Sequence, residues 1–269
     1  MDLKSISVMA TGSALREVTL LIYSIRMLYN CPIYVVCDDY VYNSLRKMGF
    51  LWLNLRASAN PDDLKKAAYK TKSIKSHNDF HSAGAIWTKI GAMEWALEEE
   101  GETLFLDADI VLNKPINEDI LTDVDAMISP HYHTGDTLSD NQTYGVFNAG
   151  YAFARHCDFA KVWKEIYLTR SAFYEQQGMI WFFEHFDMGI FDKSHNIGFW
   201  RFSKKWKKGT LRLDDWGIDW SKAKSFHFHA FPETYSKANK GLTRGYNLLK
   251  EEMVERLNPE LKRIYNDLL

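Results

Sequence analysis

Cysteine is scarce and odd in number: Cys31, Cys37 and Cys157, with no CxxC pair. That argues against a disulfide framework and against a cysteine-based zinc site, and it fits a reducing cytosol. An excess of basic charge is also missing. The 269 residues carry a formal net charge of −2 at pH 7, so nothing points to nucleic acid as a partner. No window holds 18 consecutive apolar residues, and Met1-Asp2-Leu3-Lys4 leads into a run too short and too polar for a signal segment or a membrane span. A cytoplasmic protein without a transmembrane segment is expected. Internal repeats, low-complexity runs and clear linkers are missing as well. What remains is ordinary globular composition, 46% hydrophobic and 25% charged, with enough chain for a large α/β domain and a substantial core.

The apolar pattern alternates between two periods. Ser5 to Ala10 reads as a strand, broken by Thr11-Gly12-Ser13; Leu15, Val18, Leu21, Ile22, Ile25 and Leu28 then recur at helical spacing. A second strand over Ile33 to Cys37 ends in Asp38-Asp39, a short helix stops at Gly49, and Phe50 to Leu55 reads as a third strand. Asn60 to His81 is polar and reads as a loop with helical pieces. Ile86, Trp87, Ile90, Met93 and Leu97 mark an amphipathic helix that ends at Gly101, and Thr103 to Leu106 follows as a buried strand. Further strands are expected over Ala126–Ser129, Val146–Ala154 and Lys224–His229. An aromatic helical stretch is expected over Asp158–Phe186, and a C-terminal helix from Gly245, interrupted near Pro259. Strands alternating with helices predict an α/β fold with a mostly parallel sheet covered on both faces.

The chemistry centres on Asp107-Ala108-Asp109, at the C-terminal end of the Thr103–Leu106 strand, where open α/β sheets place their ligands. Two carboxylates this close raise each other's pKa unless a cation neutralises them, and hard divalent cations take such oxygen ligands. Mn²⁺ or Mg²⁺ bridging the pair to a diphosphate would offset charge developing on a leaving nucleoside diphosphate. Aspartate is also a common turn residue, so the triplet by itself does not decide.

Its setting does more. The triplet lies about a hundred residues in, after two βα units and a long helix. Thr11-Gly12 ends the first strand, Phe147-Asn148-Ala149-Gly150 forms a later one, Glu175-Gln176-Gln177 precedes an apolar run, and Phe226-His227-Phe228 closes the series. In order and spacing, over roughly Ser5 to Gly241, these resemble the GT-A glycosyltransferases, and specifically glycosyltransferase family eight, the group around glycogenin and the bacterial lipopolysaccharide galactosyltransferases.

The resemblance implies a GT-A fold in a single domain over 1–269: a nucleotide-binding half over about 1–112, a donor-sugar and acceptor half over 113–245 with a short antiparallel acceptor-side lobe, and a C-terminal helix over 246–269. It implies metal-dependent transfer of a hexose, with retention, from a nucleotide-sugar, by default a UDP-hexose, to a hydroxyl of a glycan, lipid-linked or protein acceptor. Asp107 and Asp109 would hold the metal, with Asp107 also near the ribose. His227 would be the third ligand, or His229, which lies on the same side of the strand. Thr11 and Gly12 would hold base and ribose. Asp38 either binds the base or makes a turn, and Lys89 either reaches the donor phosphates or lies on a solvated helix face. Asn148 and Gln176 would border the donor sugar or the reaction centre; Ala149-Gly150 leaves room for close approach of a ligand. The sequence departs from the family pattern after His227, where the Lys-Pro-Trp-like segment is missing; Lys240-Gly241 stands in for its phosphate-binding lysine. Glu175 also stands where the family has Asp.

Two rivals use the same triplet. A haloacid-dehalogenase-like phosphohydrolase would take Asp107 as nucleophile, with Leu213-Asp214-Asp215 as its late acidic pair, but that family normally opens with the nucleophile strand. A non-catalytic nucleotide-sugar binding module would keep the fold without turnover. Thr11-Gly12-Ser13 is too thin a glycine loop for a nucleotidylyltransferase. Lys204-Lys205-Trp206-Lys207-Lys208 reads as a solvated loop, or as a patch for a membrane surface or an anionic acceptor.

Overall fold

A computed structural model describes residues 2–57, 83–132, 145–170, 175–202, 218–231 and 243–269. The expected Asn60–His81 loop, the lysine-rich stretch at 204–208 and the Lys240-Gly241 pair lie outside the described residues.

The core is a seven-stranded sheet. β1 (Ile6–Ala10), β2 (Ile33–Cys37), β3 (Asn54–Ala57), β4 (Thr103–Asp107), β6 (Ala126–Pro130), β7 (Phe147–Ala154) and β8 (Met188–Ile190) stand in the order β3-β2-β1-β4-β7-β6-β8. Only β7 runs against the rest: it pairs antiparallel with β4 and β6, while the other pairings are parallel. A three-stranded sheet, β5 (Ile110–Leu112), β10 (Ser225–His227) and β9 (Ile197–Gly198), joins it directly, because only Ala108-Asp109 separates β4 from β5.

Both faces of the large sheet are covered, as the near-continuous apolar strands demand. Ile6, Val8, Leu104 and Leu106 point to the side of α1 (Leu15–Leu28) and α2 (Asp39–Lys47). Phe105, Ile128 and Ala152 point to the side of α3 (Ala83–Glu100) and α4 (Phe159–Arg170). A third apolar cluster seats the small sheet, through Val111, Ile197, Phe226 and Phe228, against α5 (Thr243–Glu255) and α6 (Pro259–Leu268). The helix break expected near Pro259 is the start of α6, where Asn258 caps the helix by accepting from Leu261 N–H.

Three element boundaries differ from the sequence expectation. The third strand is Asn54–Ala57 rather than Phe50–Leu55: Phe50 is buried and donates its N–H to Leu45 O, closing the end of α2 before the chain extends. The aromatic stretch is not one helix. α4 ends at Arg170, and a 3-10 helix covers Gln177–Glu184. β10 is Ser225–His227, shorter than Lys224–His229; just past its end Phe228 N–H still donates to Asp109 O, the residue opposite it. No helix among the described residues is long and apolar enough to cross a membrane.

Candidate metal and donor site

Parallel strands end on the same edge of a sheet, and this brings Thr11-Gly12 after β1, Asp38 after β2 and Asp107 at the end of β4 to one rim. β7 starts on that rim because it runs the other way. Its register with β4 pairs Leu106 with Tyr151, which sets Gly150 beside Asp107.

β7 is not regular there. Against β6, Ile128 pairs with Ala152 while the next residue, Ser129, pairs with Asn148. The three residues between bulge out of the ladder, and the inward face flips: Phe147 and Ala149 pack on one core cluster, Tyr151 and Phe153 on the other. Asn148 Oδ1 stitches the bulge by accepting from Gly150 N–H at 3.0 Å. A methyl group on Gly150 would stand 2.3 Å from Asp107 Oδ2 and 2.8 Å from His227 Cε1, so glycine is what lets these side chains gather over the strand.

Asp107, Asp109 and His227 converge, with one ligand atom from each within 4.8 Å of the others. His227 Nε2 is 3.0 Å from Asp109 Oδ1 and 4.0 Å from Asp107 Oδ2. The two sheets supply this geometry, since His227 is the register partner of Ile110, next to Asp109. Two carboxylates and an imidazole nitrogen form a donor set that fits a divalent cation such as Mn²⁺ or Mg²⁺. The described residues hold one other group of this kind, His156, Cys157 and Asp158, on consecutive residues of a turn beyond the far end of β7.

The surroundings bias the charges. Burial works against ionised Asp109, but His227 and His229 outweigh it and hold the carboxyl well below its usual range. His229 Nδ1 lies 3.2 Å from Asp109 Oδ2 and 3.7 Å from Glu17 Oε1. Burial would lower the His229 pKa, yet Asp109 and Glu17 push it up to about 9. The two histidines thus take different places: His227 joins the Asp107–Asp109 group and His229 backs Asp109 from the α1 side.

Lys89 is on neither a solvated face nor an open one. It is buried on α3, with Nζ 2.8 Å from Asp107 Oδ1 and 3.0 Å from Glu175 Oε1, above the Phe105 ring. Burial would lower its pKa; the two carboxylates reverse this and keep the ammonium charged. Asp38 does turn work with both oxygens: Oδ1 caps α2 by accepting from Val41 N–H at 2.9 Å, and Oδ2 accepts from Gly12 N–H at 2.6 Å. Thr11 precedes the short 3-10 turn Gly12–Ala14 and accepts from Ala14 N–H. Gln176 precedes the 3-10 helix Gln177–Glu184, and its backbone lies against Gly145, two residues ahead of β7.

Four residues at the rim escaped the sequence reading. The Tyr40 ring lies over Gly12 and is largely exposed. Trp200 packs edge-on against His227 at 4.8 Å between centroids and donates from Nε1 to His131 O. His131 and Asn196 are buried beside Asn148. Tyr40 directly follows the Asp38-Asp39 strand end that the sequence marks; Asn196, in a Lys-Ser-His-Asn-Ile-Gly run, carries no local signal.

No protein-family model and no curated protein sequence matches the chain. Solved structures do resemble its fold. Mouse xyloside xylosyltransferase 1, in its apo form, aligns with a TM-score of 0.53 at 13% identity over 84% of this chain and 97% of that one. The galactosyltransferase LgtC, in complex with donor and acceptor sugar analogues, aligns with a TM-score of 0.52 at 13% identity, covering 92% of this chain and 95% of that one. The glycosyltransferase GlyE of Streptococcus pneumoniae aligns with a TM-score of 0.55 at 11% identity over 99% of this chain, which spans 63% of GlyE. These likenesses define the class of the fold: it is the α/β GT-A fold of glycosyltransferases, with a mostly parallel seven-stranded sheet flanked by helices.

Proposed function

We propose that this chain is a metal-dependent glycosyltransferase that moves a hexose, with retention, from a UDP-sugar to a hydroxyl acceptor. The observation that carries the reading is the convergence of Asp107, Asp109 and His227 at the rim where β1, β2 and β4 end. The fold shared with a xylosyltransferase and a galactosyltransferase supports it. The whole chain acts as one catalytic domain in this reading, with the nucleotide held by its first half and the sugar and acceptor by its second.

Asp107, Asp109 and His227 would hold Mn²⁺ or Mg²⁺. Bound there, the cation would supply charge compensation for the departing nucleoside diphosphate. The chain's own groups do the rest. Thr11, Gly12 and Tyr40 border the base and ribose, and Asp38 holds the Gly12 turn in place for them. Lys89 holds Asp107 in place through their ion pair and adds positive charge where phosphate oxygens would approach. Asn148 and Gln176 border the sugar, and Trp200 shields His227 from water. Lys240 and Gly241, assigned to the phosphates, fall outside the described residues. The acceptor hydroxyl attacks C1 on the face from which the nucleoside diphosphate leaves, and the departing phosphate oxygen takes its proton. The phosphohydrolase alternative gives no work to His227 or Asn148, both of which face Asp107's neighbourhood.

Isothermal titration of UDP, with GDP for comparison, tests the donor site with and without Mn²⁺ on the wild type and on Asp109→Ala. Metal-dependent UDP binding that the substitution abolishes is expected. Absence of nucleotide binding under every metal condition would overturn the reading. Product analysis by NMR then checks the anomeric outcome, where inversion would exclude front-face attack.

A further inference from the structure

His227 is a ligand only if its Nε2 offers a lone pair toward the two aspartates, and an imidazole has two nitrogens to choose from. The choice is dictated by hydrogen bonds that start at a backbone amide. Gly150 N–H can only donate, and it donates to Asn148 Oδ1. The same oxygen faces the Asn196 side chain at 3.1 Å, so the Asn196 atom there must be its NH₂ group, which also reaches Ser129 Oγ at 3.2 Å. Asn196 Oδ1 is thereby turned to His227 Nδ1, at 2.8 Å. A carbonyl oxygen can only accept, so Nδ1 carries a proton, and Nε2, 3.0 Å from Asp109 Oδ1, is the nitrogen left to give its lone pair to a cation. At the other end, the Asn148 NH₂ group faces His131 Nε2 at 3.4 Å, and His131 Nδ1 donates to Gly145 O at 3.0 Å. Both ends of the relay are backbone groups of fixed polarity.

Asn196 is held for this purpose by everything around it. It is fully buried, with φ of 52°, a left-handed conformation that asparagine accepts more readily than most residues. Its N–H donates to Ser225 Oγ at 2.7 Å, and its carbonyl accepts from the buried Arg201 guanidinium at 3.0 Å. Every polar atom of the residue is thus engaged, and neither its backbone nor its amide is free to turn over.

We infer that Asn196 is a positioning residue which keeps a proton on His227 Nδ1, aims Nε2 at Asp107 and Asp109, and through Asn148 ties that choice to the bulge in β7. The inference rests on the metal-site reading for its purpose, though its geometry does not. A ring locked this way meets a cation without rotating, and outer partners of this kind are worth about 10–100-fold in metal affinity.

Long-range ¹⁵N–¹H correlation spectra with and without Mg²⁺ test the proton's place on the wild type alone. His227 should show a protonated Nδ1 in both states; a ring that lacks the Nδ1 proton would overturn the inference whatever the variants do. Calorimetry with Mn²⁺ alone tests the consequence. Asn196→Gly, chosen because glycine tolerates the left-handed backbone, should weaken binding about 10–100-fold and release the Nδ1 proton. Asn196→Asp still offers His227 Nδ1–H an acceptor and should keep that proton and most of the affinity. Unchanged Mn²⁺ binding in Asn196→Gly, or an equal loss in Asn196→Asp, would overturn the inference. A wild type that binds no Mn²⁺ but shows Nδ1–H would count against the metal reading and leave the proton's assignment standing.

Discussion

Lys89 shows how much one side chain decides. It is the cation between Asp107 and Glu175, and all three are largely withdrawn from water. Removing one member of a buried ion cluster leaves the others uncompensated. Lys89→Met should therefore cost about 3 kcal/mol of stability, read as a lower urea midpoint. UDP affinity should fall with it. The sequence placed Lys89 near the site but offered two surroundings, phosphates or solvent, because the partner that buries it, Glu175, is remote in the chain. Asp107, Asp109 and His227 were legible for the opposite reason. Carboxylates one residue apart after an apolar strand, and a histidine in an apolar strand, are local patterns. Asn196 was not legible, because its importance comes from five partners, Ser129, Asn148, Arg201, Ser225 and His227, spread along the chain.

The decisive element is β7. Its direction delivers its first residues, not its last, to the rim, and its bulge turns Asn148 and Gly150 toward the aspartates. Gly150→Ala should leave β7 paired with β4 and β6 but crowd Asp107 and His227 apart. Mn²⁺ affinity is expected to drop by about tenfold or more while far-UV circular dichroism stays unchanged. Alternation along the sequence could reveal the strand but not the bulge: Phe147, Ala149, Tyr151 and Phe153 look like one face, and the structure divides them between two. The third strand slipped for a related reason, since Phe50 is as apolar as a strand residue but is used to close α2.

At the scale of the whole molecule, the small sheet and the last two helices form a body of their own against α1. Leu261 is fully buried there, and Arg16 on α1 donates to the carbonyls of Leu268 and Leu269. Leu261→Ala should cost about 3 kcal/mol, measurable by thermal or urea unfolding. Acid will act on the same region. Burial alone would raise the Asp119 pKa, but His195 at 3.4 Å and Lys224 at 3.0 Å outweigh it and hold the pKa below its ordinary value. A depressed carboxylate adds stability above its unfolded pKa of about 3.9, and that stability is lost as the pH falls through the folded value. Asp119→Asn should lower stability at pH 7 by about 1 kcal/mol and flatten the acid limb of the stability curve.

Because Asp107 ends β4 of the large sheet, Asp109 leads into the small one and His227 closes β10, an ion held by all three would pin the two sheets together at the Ala108-Asp109 link between them. Occupancy should then be audible far from the rim. Amides of β5, β9 and β10 should exchange with deuterium more slowly in Mn²⁺ than without it, by the free energy of binding, while those of β1 and β2 change little.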